Sequence, residues 1–207
     1  ADGAEVSHFK ITGITNGTLF QNNGSTHIAN SEFITYDQGN AGLKFLPAAD
    51  TNADGNFFVQ ASTSSDDSGL GGSQVQAVIT VNPVPDTPTV TDAATDEDTF
   101  TSSGLVVTRN AADGTEITHF RISAISGGEL FQLDGLTQIN DGDFITAAQG
   151  NAGLKFNPAL NSVEAGHFNV EASLSADPSG VGGPPATATI TINPVNDSPV
   201  LDNSGAY

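Results

Sequence analysis

Apolar and polar residues alternate with a period of two along most of the chain. HFRIS (119–123), ELFQL (129–133), GLKFN (153–157), HFNVEAS (167–173) and ATATITI (186–192) each lie between clusters of Gly, Asn, Asp and Pro. This is the pattern of half-buried strands bounded by turns. It predicts strands near 104–109, 116–124, 129–133, 153–157, 167–174 and 186–193, with a short edge piece near 137–146. No stretch combines caps with apolar residues at i, i+3, i+4 and i+7, so helix should be scarce.

The pattern is written twice. ADGAEVSHFKITGI at 1–14 matches ADGTEITHFRISAI at 112–125, and the offset of 111 continues without a gap. LFQ, FIT and QGNAGLKF (38–45 and 149–156) recur, SGLGG (68–72) becomes SGVGG (179–183), and NPVPDTP (82–88) becomes NPVNDSP (193–199). About half of the aligned positions are identical, so the unit is a duplicated domain. Six or seven short strands per copy indicate an all-β chain of two tandem Greek-key β-sandwiches of immunoglobulin-like type. The first repeat spans 1–88, the second 89–199, and 200–207 begins a further linker. Phe120, Ile122, Leu130, Phe131, Leu154, Phe156, Phe168, Val170, Ile190 and Ile192 should form the second core, with counterparts 111 residues earlier in the first.

The copies differ at their start. EDTFTSSGLVVTRNA (97–111) leads into the second copy, whereas the first opens directly on its ADG and lacks a leading strand. One explanation is that another chain donates that strand, as in donor-strand fibres. The tail LDNSGAY, however, contains nothing like GLVVT. The simpler reading is a window from a longer tandem array.

Charge narrows the partners. The chain has 24 acidic and 5 basic residues, a net charge of -19, which repels phosphate backbones and anionic lipid and makes divalent cations the natural counter-partners. Neither nucleic-acid binding nor membrane insertion is expected, since no apolar run approaches the ~18 residues of a spanning helix. The absence of Cys, Met and Trp excludes disulfides and thiolate metal sites. Enzyme chemistry finds no support: there is no G-x-S-x-G, H-E-x-x-H or P-loop, and no Ser, His and Asp set shared by both copies. The glycines of GLGGS and GVGGP join two strands and lack the following helix of a phosphate site. His8 and His119 alternate with Phe9 and Phe120, so they should face solvent rather than a metal.

Several segments resemble cadherin repeats. AADGTEITHFRI (111–122) is similar to the Ala-x-Asp segment and the strand that follows it. Ala172, Asp177, Ser179 and Gly180 resemble the later Ala-x-Asp-x-Gly loop, TITI (189–192) the last strand, VNDSP (195–199) the linker, and EDT (97–99) the acidic base. The chain most resembles the cadherin-like repeats of large bacterial surface proteins and secreted adhesins. That resemblance implies an extracellular, cell-surface spacer or adhesive stalk, with Ca²⁺ at the junction between copies.

Ca²⁺ takes six to eight oxygens at about 2.3–2.6 Å. Asp66, Asp67, Asp86, Asp96, Glu97, Asp98 and Asp113 are the residues expected to converge there. Pro83 and Pro194 stand in place of the first linker Asp, Pro85 replaces the linker Asn, and no Leu-Asp-Arg-Glu is present. Either an ion or proline alone would then stiffen the joint. DTNADG (50–55) places Asp50, Asn52, Asp54 and Gly55 at the spacing of a calcium loop, but loop position twelve is Ala61 and the second copy reads NSVEAG. The same residues suit a hairpin turn without metal. The partners expected are neighbouring repeats or identical chains head to tail, with a surface glycan or receptor beyond them. A self-assembling fibre subunit is one alternative. A carbohydrate-binding module is another, although Tyr36 and Tyr207 are the only tyrosines and neither recurs in the other copy.

Overall fold

Each alternating segment forms a strand in the computed structural model, which describes residues 5–198. The expected start of a further linker at 200–207 lies outside the described residues. The chain divides into two units, 1–83 and 84–207, so the segment 84–88 goes with the second unit rather than the first.

In the first unit the strands are β1 (His8–Thr15), β2 (Gly17–Gln21), β3 (His27–Ile28), β4 (Phe33–Thr35), β5 (Leu43–Pro47), β6 (Gly55–Ser62) and β7 (Val75–Ile79). One sheet has the order β4-β1-β6-β7 and the other β3-β2-β5. The chain crosses between sheets after β1, β3, β4 and β5, the mark of a Greek-key sandwich. A one-turn helix, α1 (Tyr36–Asn40), links β4 to β5.

The second unit repeats this plan. It adds β8 (Thr89–Val90), β9 (Ala93–Asp96) and β10 (Val107–Thr108) before β11 (His119–Ser126), β12 (Gly128–Gln132), β13 (Gln138–Ile139), β14 (Phe144–Thr146), α2 (Ala147–Ala152), β15 (Leu154–Pro158), β16 (Gly166–Ser173) and β17 (Val181–Asn193). Its sheets are β14-β11-β16-β17-β9 and β13-β12-β15, with β10 paired to β8. The β9–β17 pairing is parallel, Ile190 opposite Ala93 through Asn193 opposite Asp96. Residues 101–105 run along β15: the Thr101 amide donates to the Phe156 carbonyl, the Phe156 amide to Thr101 Oγ1, and the Leu154 amide to the Leu105 carbonyl, at 3.0 to 3.1 Å.

Local chemistry explains elements that the alternation does not show. Just before the recurrent QGNAGLKF block, Thr35 and Thr146 cap the short helices, each hydroxyl accepting from the amide of the Gln three residues on while that Gln side chain accepts from the cap amide. Such a capping box satisfies two otherwise orphaned donors. Five or six residues are too few to display a 3.6-residue period. β1 and β11 each bulge near their middle, where Gly13 and its counterpart Ala124 take φ of 63° and 54°. A Cβ on Gly13 would lie 2.7 Å from the Phe58 ring. In the second copy Asn169 replaces that ring, and alanine is accommodated.

Burial separates the copies. Nine of the ten expected core residues of the second unit are buried; Phe131 is half-buried and packs edge-on against Phe100. Leu105 and Val107 of the leading segment complete that core. In the first unit Ile11, Leu19, Ile28, Ile34 and Phe57 are buried, whereas Phe9, Leu43, Phe45, Val59 and Ile79 are only partly so. The residue types match and the surroundings do not.

Candidate functional site

The segment that joins the repeats is held in a specific seat on the second unit. Pro85 and Pro88 are buried. Pro85 packs on Gly182 and Gly183 so closely that a Cβ on the former would lie 2.8 Å from Pro85 Cδ, and one on the latter 2.8 Å from the Pro85 carbonyl oxygen. The Asp86 amide donates to both carboxylate oxygens of Asp113, at 3.3 and 3.2 Å, and Asn110 Nδ2 donates to the Thr87 carbonyl at 3.0 Å. Beyond Pro88 the chain enters β8, whose Thr89 hydroxyl bonds that of Thr108. Proline fixes φ and removes an amide donor, so a seat built on glycine contacts and single hydrogen bonds suits this segment.

The other candidate acids lie elsewhere. Glu97 is buried at the exit end of the second unit, where its Oε1 accepts from the Val195 amide at 2.6 Å. Asp96 accepts from Asn193 Nδ2 at 3.3 Å and Asp98 from the Asn161 amide at 2.9 Å. Asp96 and Glu97 therefore fasten the unit's own last strand and exit loop, and Asp98 the β15–β16 loop, one sheet length from Asp86 and Asp113. In the first unit Asp66 and Asp67 occupy the β6–β7 loop beside Ser62, at the opposite end of β6 from Gly55, which pairs with Ile79 as the chain leaves. Asp66 accepts from the Ser68 amide and hydroxyl and the Ser64 hydroxyl, and Asp67 pairs with Lys10 at 2.5 Å. The seven acids thus sit in three places: Asp66 and Asp67 at one end of the first sandwich, Asp86 and Asp113 at one end of the second, and Asp96, Glu97 and Asp98 at its other end.

The DTNADG segment closes as a turn. Asp50 has a φ of 54°, matched by 53° at Asn161, the Thr51 hydroxyl accepts from the Ala53 amide, and Asp54 Oδ1 accepts from the Val81 amide. Among the described residues no hydrogen bond from Asn52 accompanies these contacts. Among the described residues no three His, Asp or Glu side chains form a group able to hold a metal. The oxygen donors match Ca²⁺ in kind.

Electrostatics sets Asp113 apart. Burial raises its pKa above the ordinary 3.8, and the neighbouring charges of Asp86 and Glu116 raise it further, while the amides of Asp86 and Asn110 act in the opposite sense. Asp66 and Asp177 are held below 3.8, chiefly by serine hydroxyls and amides. For Asp113 the sign follows from linkage: a raised folded pKa penalises the ionised form above that pKa, and the penalty vanishes once both states are protonated. Asp113→Asn keeps an acceptor for the Asp86 amide and removes the charge. It should raise the melting temperature at pH 7, and the gain should disappear below pH 3.8. Melting curves of both proteins at the two pH values check this; a loss of stability at pH 7 would show that the charge itself is needed.

The Gly182–Gly183 seat and Asn110 were not among the sequence candidates. Their signal was present in the doubled SGLGG/SGVGG block, whose glycines have no phosphate role but allow close backbone approach.

No protein-family model matches the chain, and no curated protein matches it. Among solved structures, the human mucin-like protocadherin EC1-2 is similar over 90% of this chain and 85% of its own, with 11% identity and a TM-score of 0.40. The chicken CNTN1 FN1-FN3 domains are similar over 92% of this chain and 58% of their own, with 11% identity and a TM-score of 0.34.

Proposed function

We propose that the chain is an extracellular spacer: consecutive β-sandwiches of a bacterial surface or secreted protein that hold an adhesive part away from its anchor. The observation that supports this most is the seat of 84–88 on the second unit, which converts a connector into part of a domain. A linker buried at Pro85 and Pro88 and clipped by Asp113 has little freedom to swing. Each added repeat would then lengthen the array. The excess of acid keeps neighbouring stalks apart in this reading. Among the described residues no helix is long and apolar enough to cross a membrane.

Ca²⁺ has no step in this proposal, because several of the acids expected to bind it are engaged within their own units: Asp67 with Lys10, Asp113 with the Asp86 amide and Glu97 with the Val195 amide. Small-angle scattering in EDTA, Mg²⁺ and Ca²⁺ tests both points. If the sandwiches stand end to end as a spacer requires, each with a radius of gyration of about 12 Å and centres about 40 Å apart, the chain should give about 23 Å, against about 17 Å for a single compact body of this length. A value near the lower figure would remove the spacer reading. Mg²⁺ and Ca²⁺ should act alike, by screening a charge of -19. A melting temperature raised by Ca²⁺ about 5 °C or more beyond Mg²⁺ would return the joint to a specific ion.

A further inference from the structure

The β2–β3 hairpin of the first unit and the β12–β13 hairpin of the second have tips of matching geometry and different chemistry. Residues 22–26 read NNGST and residues 133–137 read LDGLT, so Asn23–Gly24 stands where the second copy has Asp134–Gly135. The two glycines have φ of 70° and 67°, and their amides donate to the carbonyls of Gln21 and Gln132 at 2.8 and 2.9 Å. Asp134 Oδ1 accepts from the amides of Leu136 and Thr137 at 2.8 and 2.9 Å, and its Oδ2 accepts from the Thr137 hydroxyl at 2.7 Å. Asn23 Oδ1 accepts from the amides of Ser25 and Thr26, both at 2.9 Å, while its Nδ2 donates to the Thr26 hydroxyl at 2.8 Å. A lysine lies beside each tip: a Cβ on the glycine would stand 3.5 Å from Lys44 Nζ in the first copy and 3.7 Å from Lys155 Nζ in the second. Two amides, a hydroxyl and an ammonium form a cradle for a carboxylate. The amides of Thr137 and Leu136, then the Thr137 hydroxyl and Lys155, hold Asp134 below the ordinary 3.8. In the first copy the same cradle holds an amide.

We propose that Asn23 is a self-modification site, at which loss of ammonia installs in the first copy the carboxylate that the second copy carries at Asp134. The Gly24 nitrogen attacks Asn23 Cγ, its proton passes through solvent to Nδ2, and ammonia leaves a cyclic succinimide. Water then adds at Cγ and the bond from Cγ to the Gly24 nitrogen breaks, which restores the backbone and leaves an aspartate. The net change is amide plus water to carboxylate plus ammonium. Glycine favours ring closure because no Cβ hinders the approach of its nitrogen. The Ser25 and Thr26 amides polarise the Cγ carbonyl for both additions, directing water to Cγ rather than to the backbone carbonyl. Addition at the backbone carbonyl would leave an extra methylene in the chain between Gln21 and Thr26, which the Gln21 amide joins at 2.9 Å to the Thr26 carbonyl. Residues 22–26 are exposed, and exposed hydrogen bonds open at low cost, so Gly24 can turn towards Cγ. The other Asn-Gly pair of this unit, Asn16–Gly17, lacks that freedom. The Asn16 carbonyl accepts from the Ala48 amide at 2.9 Å and its Nδ2 donates to the Asp54 carbonyl at 2.8 Å. A Cβ on Gly17 would stand 2.3 Å from the Phe45 ring and 2.4 Å from the Leu46 carbonyl oxygen. Turning the Gly17 nitrogen towards Asn16 Cγ means lifting β2 from β5, so the fold protects this pair. The inference does not depend on the spacer reading.

Incubation of the whole chain in mildly alkaline buffer made with heavy-oxygen water, followed by peptide mapping in a mass spectrometer, tests it. In the folded chain Asn23 should convert with uptake of one solvent oxygen, as aspartate rather than its β-linked isomer, while Asn16 stays intact. In guanidinium chloride the two Asn-Gly pairs should convert at similar rates, because the fold no longer separates them. The Asn23→Asp variant checks the cradle independently. Its first unit should melt a few degrees above the parent's at pH 7. A lowered folded pKa stabilises only while the group is ionised, so the gain should be lost as the pH falls below 3.8. Lys44→Gln should reduce the gain. Asn23 persisting as long as Asn16 in the folded chain, the β-linked isomer as main product, or a melting temperature of Asn23→Asp no higher than the parent's at pH 7 would each overturn the proposal.

Discussion

Leu105→Asp should abolish the upper thermal transition of the chain and leave the lower one unchanged. Leu105 is fully buried in the second core and takes a φ of 54°, a left-handed conformation that costs a bulky residue about 1–3 kcal/mol. Its surroundings hold it there. Its amide donates to the Thr91 carbonyl at 3.2 Å, and its carbonyl accepts from the Leu154 amide at 3.1 Å. Truncating a buried Leu alone costs about 2–5 kcal/mol, and an unpaired carboxylate at the same place costs several more. Against a typical domain stability of about 5–15 kcal/mol, this removes most or all of what the second unit has. Once Leu105 leaves, Val107 and the pairing along β15 lose their anchor, and Phe120, Phe156 and Val170 face the same openness as Phe9, Phe45 and Val59. Calorimetry of the variant decides it: two transitions in the parent and only the lower one in Leu105→Asp is the expected result. A single transition that both units share, or an upper transition displaced by less than a few degrees, would show that the leading segment is not what distinguishes the copies.

The same segment marks where the sequence was easiest and hardest to read. Period-two alternation located β11, β12, β15, β16 and β17 to within a few residues, because each buries one face of a sheet and exposes the other. β8 and β9 offer no such signal. Thr89–Val90 is too short to alternate, and Ala93–Asp96 pairs at a sheet edge through its backbone while its side chains are small or polar. EDT at 97–99 was legible as an acidic cluster, but its role was not. Glu97 faces the unit's own exit, since parallel pairing of β9 with β17 carries it to Val195. Parallel partners are distant in sequence, so no local pattern reveals which end of a domain such a residue reaches. Asp66 read as a ligand for a similar reason: a carboxylate that accepts from Ser hydroxyls and caps a short turn has the same local sequence as one that binds an ion.

Gly183→Val should destabilise the second unit by about 3 kcal/mol or more, whereas the equivalent Gly72→Val should cost the first unit about 1–2 kcal/mol. The two glycines share a backbone conformation, with φ of 71° and 68°, so the strain of a β-branched residue at positive φ is common to both. Their neighbours differ. A Cβ on Gly183 would meet the Pro85 carbonyl oxygen at 2.8 Å, the Asp86 carbonyl carbon at 2.9 Å and the Thr87 nitrogen at 3.1 Å. All three are backbone atoms, which cannot turn aside as a side chain can. The segment 84–88 must therefore lift from its seat, freeing the Asp86 amide from Asp113 and exposing Pro85 and Pro88. Gly72 has nothing within 4 Å, so there the strain acts alone. The difference between the two variants measures the seat itself, free of the intrinsic backbone term. Hydrogen exchange locates it: in Gly183→Val the Asp86 amide should lose its protection while the amides of β6 keep theirs. Equal costs for the two variants, with the Asp86 amide still protected, would mean that the connector is not held by Gly182 and Gly183.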